Sequence, residues 1–298
     1  MSLIASSKGT KSFGCINIAI CVANGLKWLN FQCRKGRVLY INLEIIDSSF
    51  YKRVNEVYSQ FENYEELEAF DIWNLRNHCT TIEELETELN RLTDYDLFII
   101  DPVYKLNIGD ENSASEQTKF FNHLDNIASE NNTAVLVSHH HTKGPQSGKK
   151  AIDRASGSGV WGRAVDAMID LTEVNCCPPL ELAGAQGFVA SFVVRDFVTP
   201  SPVGVWWNYP IHRIDKTGSI INSASDDVGS QTVNAKRAFY VNAIERVIAE
   251  KGECSQRDLV AETGKSTNTV KDWVSKLDGY EFAGVNSAGS PLIVRVSK

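Results

Sequence analysis

The run Leu97-Phe98-Ile99-Ile100, entered through Asp96 and left through Asp101-Pro102, constrains the chain more than any other stretch. Four apolar residues without alternation read as a strand covered on both faces, the pattern of a parallel sheet between helix layers. Asp101 then stands at the carboxyl end of that strand, over the crevice where open α/β sheets hold ligands. A carboxylate there suits Mg²⁺ held through water beside a phosphate chain. A strand that merely ends in an exposed Asp looks the same, so the decision falls to the N-terminus.

There, Leu3-Ile4-Ala5 runs into the small-residue stretch Ser6-Ser7-Lys8-Gly9-Thr10, then Lys11-Ser12, then an apolar segment from Phe13 to Ala23 closed by Asn24-Gly25. Strand, small-residue loop, Lys-Ser and buried helix is the layout of a P-loop. Its backbone N–H groups and helix N-terminus cradle phosphates, Lys neutralises charge and Ser binds Mg²⁺. The usual pattern is G-x-x-x-x-G-K-S/T, and Ala5 and Thr10 stand where it has glycine, with Gly9 displaced between them. A Cβ at those positions is expected to strain the backbone or loosen the fit around phosphate. The candidate nucleotide-binding residues are Ser7, Lys8, Gly9, Thr10, Lys11, Ser12 and Phe13, with Ser12 and Asp101 on the metal.

A second strand, Arg37 to Leu43, ends at Glu44, and Asp47-Ser48-Ser49 would cap a helix reaching about Phe61. Glu44 is either a surface residue or, in a sheet of this type, the carboxylate that orients and deprotonates an attacking water. A strand over residues 70–73, an acidic helix over 81–92 and an amphipathic helix over 113–130 follow. The strand from Thr133 to Ser138 leads into His139-His140-His141. Neighbours on a strand point to opposite faces, so three adjacent histidines make a poor metal site. His139 or His140 better suits a γ-phosphate sensor. Residues 142–159 form a Gly/Ser-rich loop in which Lys143, Lys149, Lys150 and Arg154 suit contact with a nucleic-acid backbone; a merely solvated loop has the same composition. Three further strands, over residues 167–174, 188–197 and 204–208, read as antiparallel additions to the sheet. Arg195, in an apolar strand, invites either an acid of its own chain, Asp196 or another, or a neighbouring subunit's nucleotide.

Residues 216–234 are rich in Ser, Asp and Gly and lack periodicity, which marks a linker between a domain over 1–215 and one over 235–298. The latter reads as three helices, with Gly264 in a turn, followed by a hairpin around Ser287-Ala288-Gly289. That order describes a winged helix-turn-helix, whose third helix would offer Thr267, Asn268 and Lys271 to DNA. Winged helices also mediate protein contacts. The net charge of −7 excludes a protein that coats nucleic acid with its whole surface, and any DNA contact must come from local patches. Residues 230–298 carry a surplus of two positive charges. No apolar run approaches the roughly 20 residues of a spanning helix, and no secretory signal is visible. The seven cysteines show no ligand spacing and suit free thiols in the cytoplasm.

Taken together, residues 1 to about 215 resemble the RecA-like, AAA-labelled ATPase domain of phage- and plasmid-encoded RepA-type hexameric replicative helicases, distant kin of DnaB. The likeness is carried by Lys11-Ser12, the Val38-to-Glu44 strand, Trp73-Asn74-Leu75-Arg76, Ile99-Ile100-Asp101-Pro102, Ser138-His139-His140 and Gly157-Ser158-Gly159. It implies a RecA-like P-loop fold with a mainly parallel sheet, ATP and Mg²⁺ as cofactors, and a homo-oligomer, a hexamer, moving on single-stranded DNA. It also implies Glu44 as catalytic carboxylate and His140 or His139 as sensor. Arg195, or else Arg154 or Arg163, would act across the subunit interface. Two competing readings use the same residues. One is a DNA-binding regulator with an inactive P-loop, and the other is a filament-forming recombination ATPase.

Overall fold

Consecutive apolar residues fill the central strands because helices cover both faces of their sheet. The computed structural model describes residues 1–6, 10–61, 68–78, 81–106, 113–141, 151–155, 160–227, 233–277 and 279–296, the side chains of 153 and 225–239 excepted. In chain order the first elements are β1 (Ser2–Ala5), α1 (Lys11–Asn24), β2 (Lys27–Trp28), β3 (Phe31–Gln32), β4 (Val38–Asn42), α2 (Asp47–Tyr58), β5 (Phe70–Asn74), α3 (Ile82–Leu89), β6 (Leu97–Asp101), α4 (Ala114–Asn131) and β7 (Ala134–His140). Next come α5 (Val160–Ala164), β8 (Ala167–Val174), β9 (Gln186–Val194), β10 (Val203–Asn208), β11 (Ile211–Ile214) and α6 (Ser219–Asp227). The chain ends with α7 (Val233–Lys251), β12 (Cys254–Ser255), α8 (Gln256–Thr263), α9 (Thr267–Val274), β13 (Tyr280–Val285) and β14 (Pro291–Arg295).

Two compact units result: Met1–Val174 with Gly187–Ile221, and Asn175–Gln186 with Asn222–Lys298. The first is an α/β unit around one nine-stranded sheet, ordered β11-β10-β9-β8-β1-β7-β6-β4-β5. The strands from β8 to β5 in that order run parallel. β8, expected as an antiparallel addition, is instead parallel to β1, while β9 is antiparallel to β8 and β11 to β10. This large, mainly parallel sheet is consistent with a RecA-like P-loop fold. Alternation along each strand divides the core. Leu3, Tyr40, Leu97, Ile99 and Leu136 pack with Cys15, Ile16 and Phe50 of α1 and α2. Ile4, Leu39, Phe98, Ile100 and Val137 pack with Leu85, Phe120, Leu124 and Trp161 on the other face. Helix α1 is buried on nearly every side, and Ile16, Ile18 and Ile20 each contribute about 1.5–3 kcal/mol by leaving water. Gly25, at φ 67°, ends it with N–H bonds to the carbonyls of Cys21 and Val22.

Several local expectations need correction. Asp47 does not cap α2: it is already helical, and Ile46 precedes it without a side-chain cap. The histidines do not follow the strand but extend it, because β7 runs through His140 and His141 still bridges Ala155. The aperiodic stretch expected as a linker contains α6, whose first turn is held by the Asp215 carboxylate accepting from Ile220 N at 2.9 Å. β11 is an additional strand that the sequence pattern did not reveal.

In the second unit, Ser255 and Asp258 form a reciprocal cap on α8, and Ser266 accepts from Thr269 N at the start of α9. Tyr240, Ile244, Val247, Leu259, Val270, Val274 and Ile293 make its core. β12, β14 and β13 form a three-stranded antiparallel sheet. Arg246 ties in the segment 175–186 by donating to the Pro178 carbonyl at 2.6 Å while pairing with Glu262.

Candidate functional site

The parallel strands all end at one edge, where β1 ends at Ala5, and α1 begins at Lys11. Lys11 opens that helix and is 5% exposed. Its Nζ donates to the Ser6 carbonyl at 2.8 Å, approaches the Ala5 carbonyl at 3.4 Å, and meets His140 Nδ1 at 3.0 Å. Burial lowers the Lys11 pKa, opposed by the nearby carboxylates of Asp101 and Glu44. Among the described residues its hydrogen-bond partners are uncharged, since burial and the adjacent ammonium together lower the His140 pKa. A buried cation bonded only to neutral groups is costly unless an anion joins it.

Asp101 lies at the end of β6, buried on the α1 face because residues 97, 99 and 101 share that side. Tyr40 donates to its Oδ2 at 2.6 Å, and the Ser138 hydroxyl donates to its Oδ1. The two donors fix the carboxylate while leaving lone pairs on both oxygens. On β4, Asn42 is fully buried and shapes the following turn: its Oδ1 accepts from Ile45 N at 2.9 Å and from Glu44 N at 3.3 Å. Its Nδ2 donates to Asn74 Oδ1 at 2.8 Å, so β5 braces the turn that carries Glu44. Glu44 itself is exposed and accepts from the Tyr104 hydroxyl, whose pKa rises to about 12 through burial and that bond. The Tyr104 ring packs on His140 with centroids 5.2 Å apart.

The strand period separates the candidate sensors. His140 shares the α1 face with Ser138 and reaches Lys11, whereas His139 points to the opposite layer and stacks on Trp161 at 3.9 Å. His141 lies on that same far side, where its Nε2 meets the buried Asp170 at 2.7 Å. Arg154 also pairs with Asp170 and donates to Thr172 Oγ1 at 2.7 Å. Arg195 sits at the amino edge of the sheet, because its N–H bonds the Asp166 carbonyl just before β8. Its guanidinium pairs with the Asp166 carboxylate at 2.8 Å and donates to the Arg163 carbonyl at 2.6 Å. It therefore pairs with an acid of its own chain, Asp166 rather than Asp196.

Lys11, Glu44, Asp101 and His140 thus converge, with Ser12 in the same first turn. Phe13 instead packs on Trp207 and Tyr209, with the Arg53 guanidinium 5.0 Å from its ring centre. Ser7, Lys8, Gly9, Lys143, Lys149 and Lys150 lie outside the described residues. Thr267, Asn268 and Lys271 are exposed on α9 in the second unit. Sequence reasoning missed Tyr40, Asn42, Tyr104 and His212. Polar residues inside or just beyond an apolar strand were the available signal for the first two. The donor set around Lys11 fits a polyphosphate, and the oxygens of Ser12 and Asp101 are the hard ligands that Mg²⁺ prefers. Among the described residues no cluster of three His, Cys, Asp or Glu forms a separate metal site, and no helix is long and apolar enough to cross a membrane.

A lysine-bearing helix start beside an acid-tipped central strand is the arrangement by which P-loop ATPases handle nucleotide. Residues 1–146 match a family model described as an AAA domain, which supports an AAA-type P-loop ATPase. No curated protein matches the chain.

Proposed function

We propose that the chain is an ATP-driven motor of DNA replication: a ring-forming, hexameric DNA helicase or helicase-like ATPase of a phage, plasmid or prophage, moving on single-stranded DNA. The observation that carries the ATPase part is Lys11, a buried ammonium that feels the carboxylates of Asp101 and Glu44 and whose hydrogen-bond partners among the described residues are neutral. In this reading Lys11 meets the β- and γ-phosphates, while Ser12 and Asp101 hold Mg²⁺, which spreads the phosphate charge when bound. Glu44 takes the proton of the attacking water, with Tyr104 orienting it, and His140 senses the γ-phosphate from its seat beside Lys11. Arg195 is the residue proposed to act across a subunit interface, after exchanging Asp166 for the neighbour's phosphate; Arg154 and Arg163 stand behind it.

The DNA part rests on the family resemblance, on the basic residues Lys143, Lys149 and Lys150, and on the second unit; Arg154, expected among them, has its guanidinium held by the buried Asp170 instead. The order α7, β12, α8, α9, β13 and β14 supports reading the second unit as a winged helix, with Thr267, Asn268 and Lys271 exposed on α9. The test is ATP hydrolysis by the full chain with and without single-stranded DNA. Turnover that rises with DNA and vanishes in Lys11→Ala is expected. Absence of turnover under both conditions, or turnover unchanged in Lys11→Ala, would overturn the motor reading.

A further inference from the structure

Thr10 occupies the loop position just before Lys11, where P-loops ordinarily have glycine. Its φ of −87° is negative, so a Cβ meets no left-handed strain at this position, and its ψ of 19° lies outside the extended range in which a capping residue sits. The Cβ brings a different liability. A threonine preceding a helix normally turns its hydroxyl onto the free N–H groups of the first turn and caps them. Those N–H groups are the ones a phosphate uses at a helix N-terminus. Thr10 makes no such cap. Its Oγ1 instead shares a hydrogen bond with His212 Nε2 at 2.6 Å, from a strand 202 positions away in sequence.

We propose that His212 is a positioning residue for the phosphate loop: by holding the Thr10 hydroxyl, it keeps Thr10 from turning into the extended capping conformation and leaves the first-turn amides of α1 open to nucleotide. The inference rests on the phosphate-site reading of Lys11. The imidazole is well fixed for the task. It is 8% exposed, with Trp207 at 5.0 Å and Phe188 at 6.0 Å between ring centroids, and its Cε1 lies over Gly14 of α1. Burial keeps it neutral, lowering its pKa to about 4. Thr10 itself is 6% exposed, so water has little access to replace either partner.

The test is Mg–ATP binding by calorimetry, with wild type, His212→Phe, His212→Gln, Thr10→Val and the double variant Thr10→Val/His212→Phe. Phenylalanine retains the aromatic packing, and its hydroxyl-blind ring releases Thr10 to cap α1. Affinity in His212→Phe should fall about tenfold, the scale of a helix cap converted to a binding ratio. His212→Gln, which still offers an N–H to the hydroxyl, should retain most of the wild-type affinity. The decisive arm is the double variant: with no hydroxyl left to compete, its affinity should return to within about threefold of wild type, a coupling that independent sites do not show. A merely structural histidine would make the double variant as weak as His212→Phe or weaker, and that result would overturn the inference, as would unaltered affinity in His212→Phe. Wild-type protein that binds no Mg–ATP would instead overturn the site reading itself, and the inference with it.

Discussion

Replacing Lys11 by methionine should stabilise the nucleotide-free protein and abolish its response to ATP. Methionine has nearly the same length and volume but no charge, so the packing under α1 is retained. What is lost is a bond of 2.8 Å to Ser6, one of 3.0 Å to His140 and a longer approach to Ala5. Ser6 and His140 are half-buried, so water can replace the ammonium there. What is gained is relief from burying a cation that makes no ion pair among the described residues, and its depressed pKa indicates that burial outweighs its hydrogen bonds and the attraction of Asp101 and Glu44. A net stabilisation of about 1 kcal/mol is expected, the range typical of replacing strained functional groups. For a unit of this size that is a rise of about 2–4 °C in Tm. The wild type should gain about 2.7 kcal/mol at nucleotide a hundredfold above Kd, or about 5–10 °C, and Lys11→Met nothing. The ranking of the two proteins therefore reverses on adding Mg–ATP, which differential scanning calorimetry reads directly. The sign with pH is also set. Because the folded lysine loses its proton more easily than the unfolded one, the wild type carries its penalty at neutral pH. It recovers stability as pH rises through the lowered value toward the ordinary 10.5. A variant less stable than wild type by more than about 1 kcal/mol, with the full nucleotide shift preserved, would refute the reasoning.

Three other expectations follow from the same geometry. His212, neutral down to about pH 4 when folded and titrating near 6.5 when unfolded, should cost the fold up to about 3 kcal/mol as pH falls across that interval; His212→Phe should flatten this slope in urea titrations, and an unchanged slope would contradict it. Asp170→Asn removes the buried counter-charge of Arg154 and should destabilise the first unit by about 3 kcal/mol in chemical denaturation, whereas a loss below about 1 kcal/mol would show that the pair is not felt. Glu44→Gln should lower ATP turnover by at least about a hundredfold while leaving Mg–ATP affinity within a few-fold, measured by steady-state kinetics and calorimetry side by side, and retained turnover would remove Glu44 from the reaction.

The central strands were legible because burial on both faces leaves an unbroken apolar run, and few other structures write Leu97-Phe98-Ile99-Ile100 into a sequence. The period of two also ruled out three converging histidines, and it carries the choice between His139 and His140 once the face of one strand neighbour is known. What stayed hidden depends on distant pairing. Tyr40 reads as another core aromatic until Asp101, 61 positions later, comes beside its hydroxyl. His212 sits on a four-residue strand too short for periodicity, and its partner is near the opposite end of the unit. The helix α6 hides in a Ser/Asp-rich stretch because it is short and leans on Asp215, which precedes it, for its first amides. The glycine deficit of the loop suggested strain at Thr10, but φ there is negative, and the consequence of the extra carbon falls on the hydroxyl instead.

Residues 175–186 group with the C-terminal unit although the sheet of the first unit resumes at Gly187. The two bodies are therefore stitched together by three chain crossings rather than one. A C-terminal fragment released at residue 222 would leave behind the Pro178 carbonyl that receives Arg246. Transplanting residues 222–298 alone into another protein would likewise leave part of that unit behind, because residues 175–186 are encoded between two segments of the first unit.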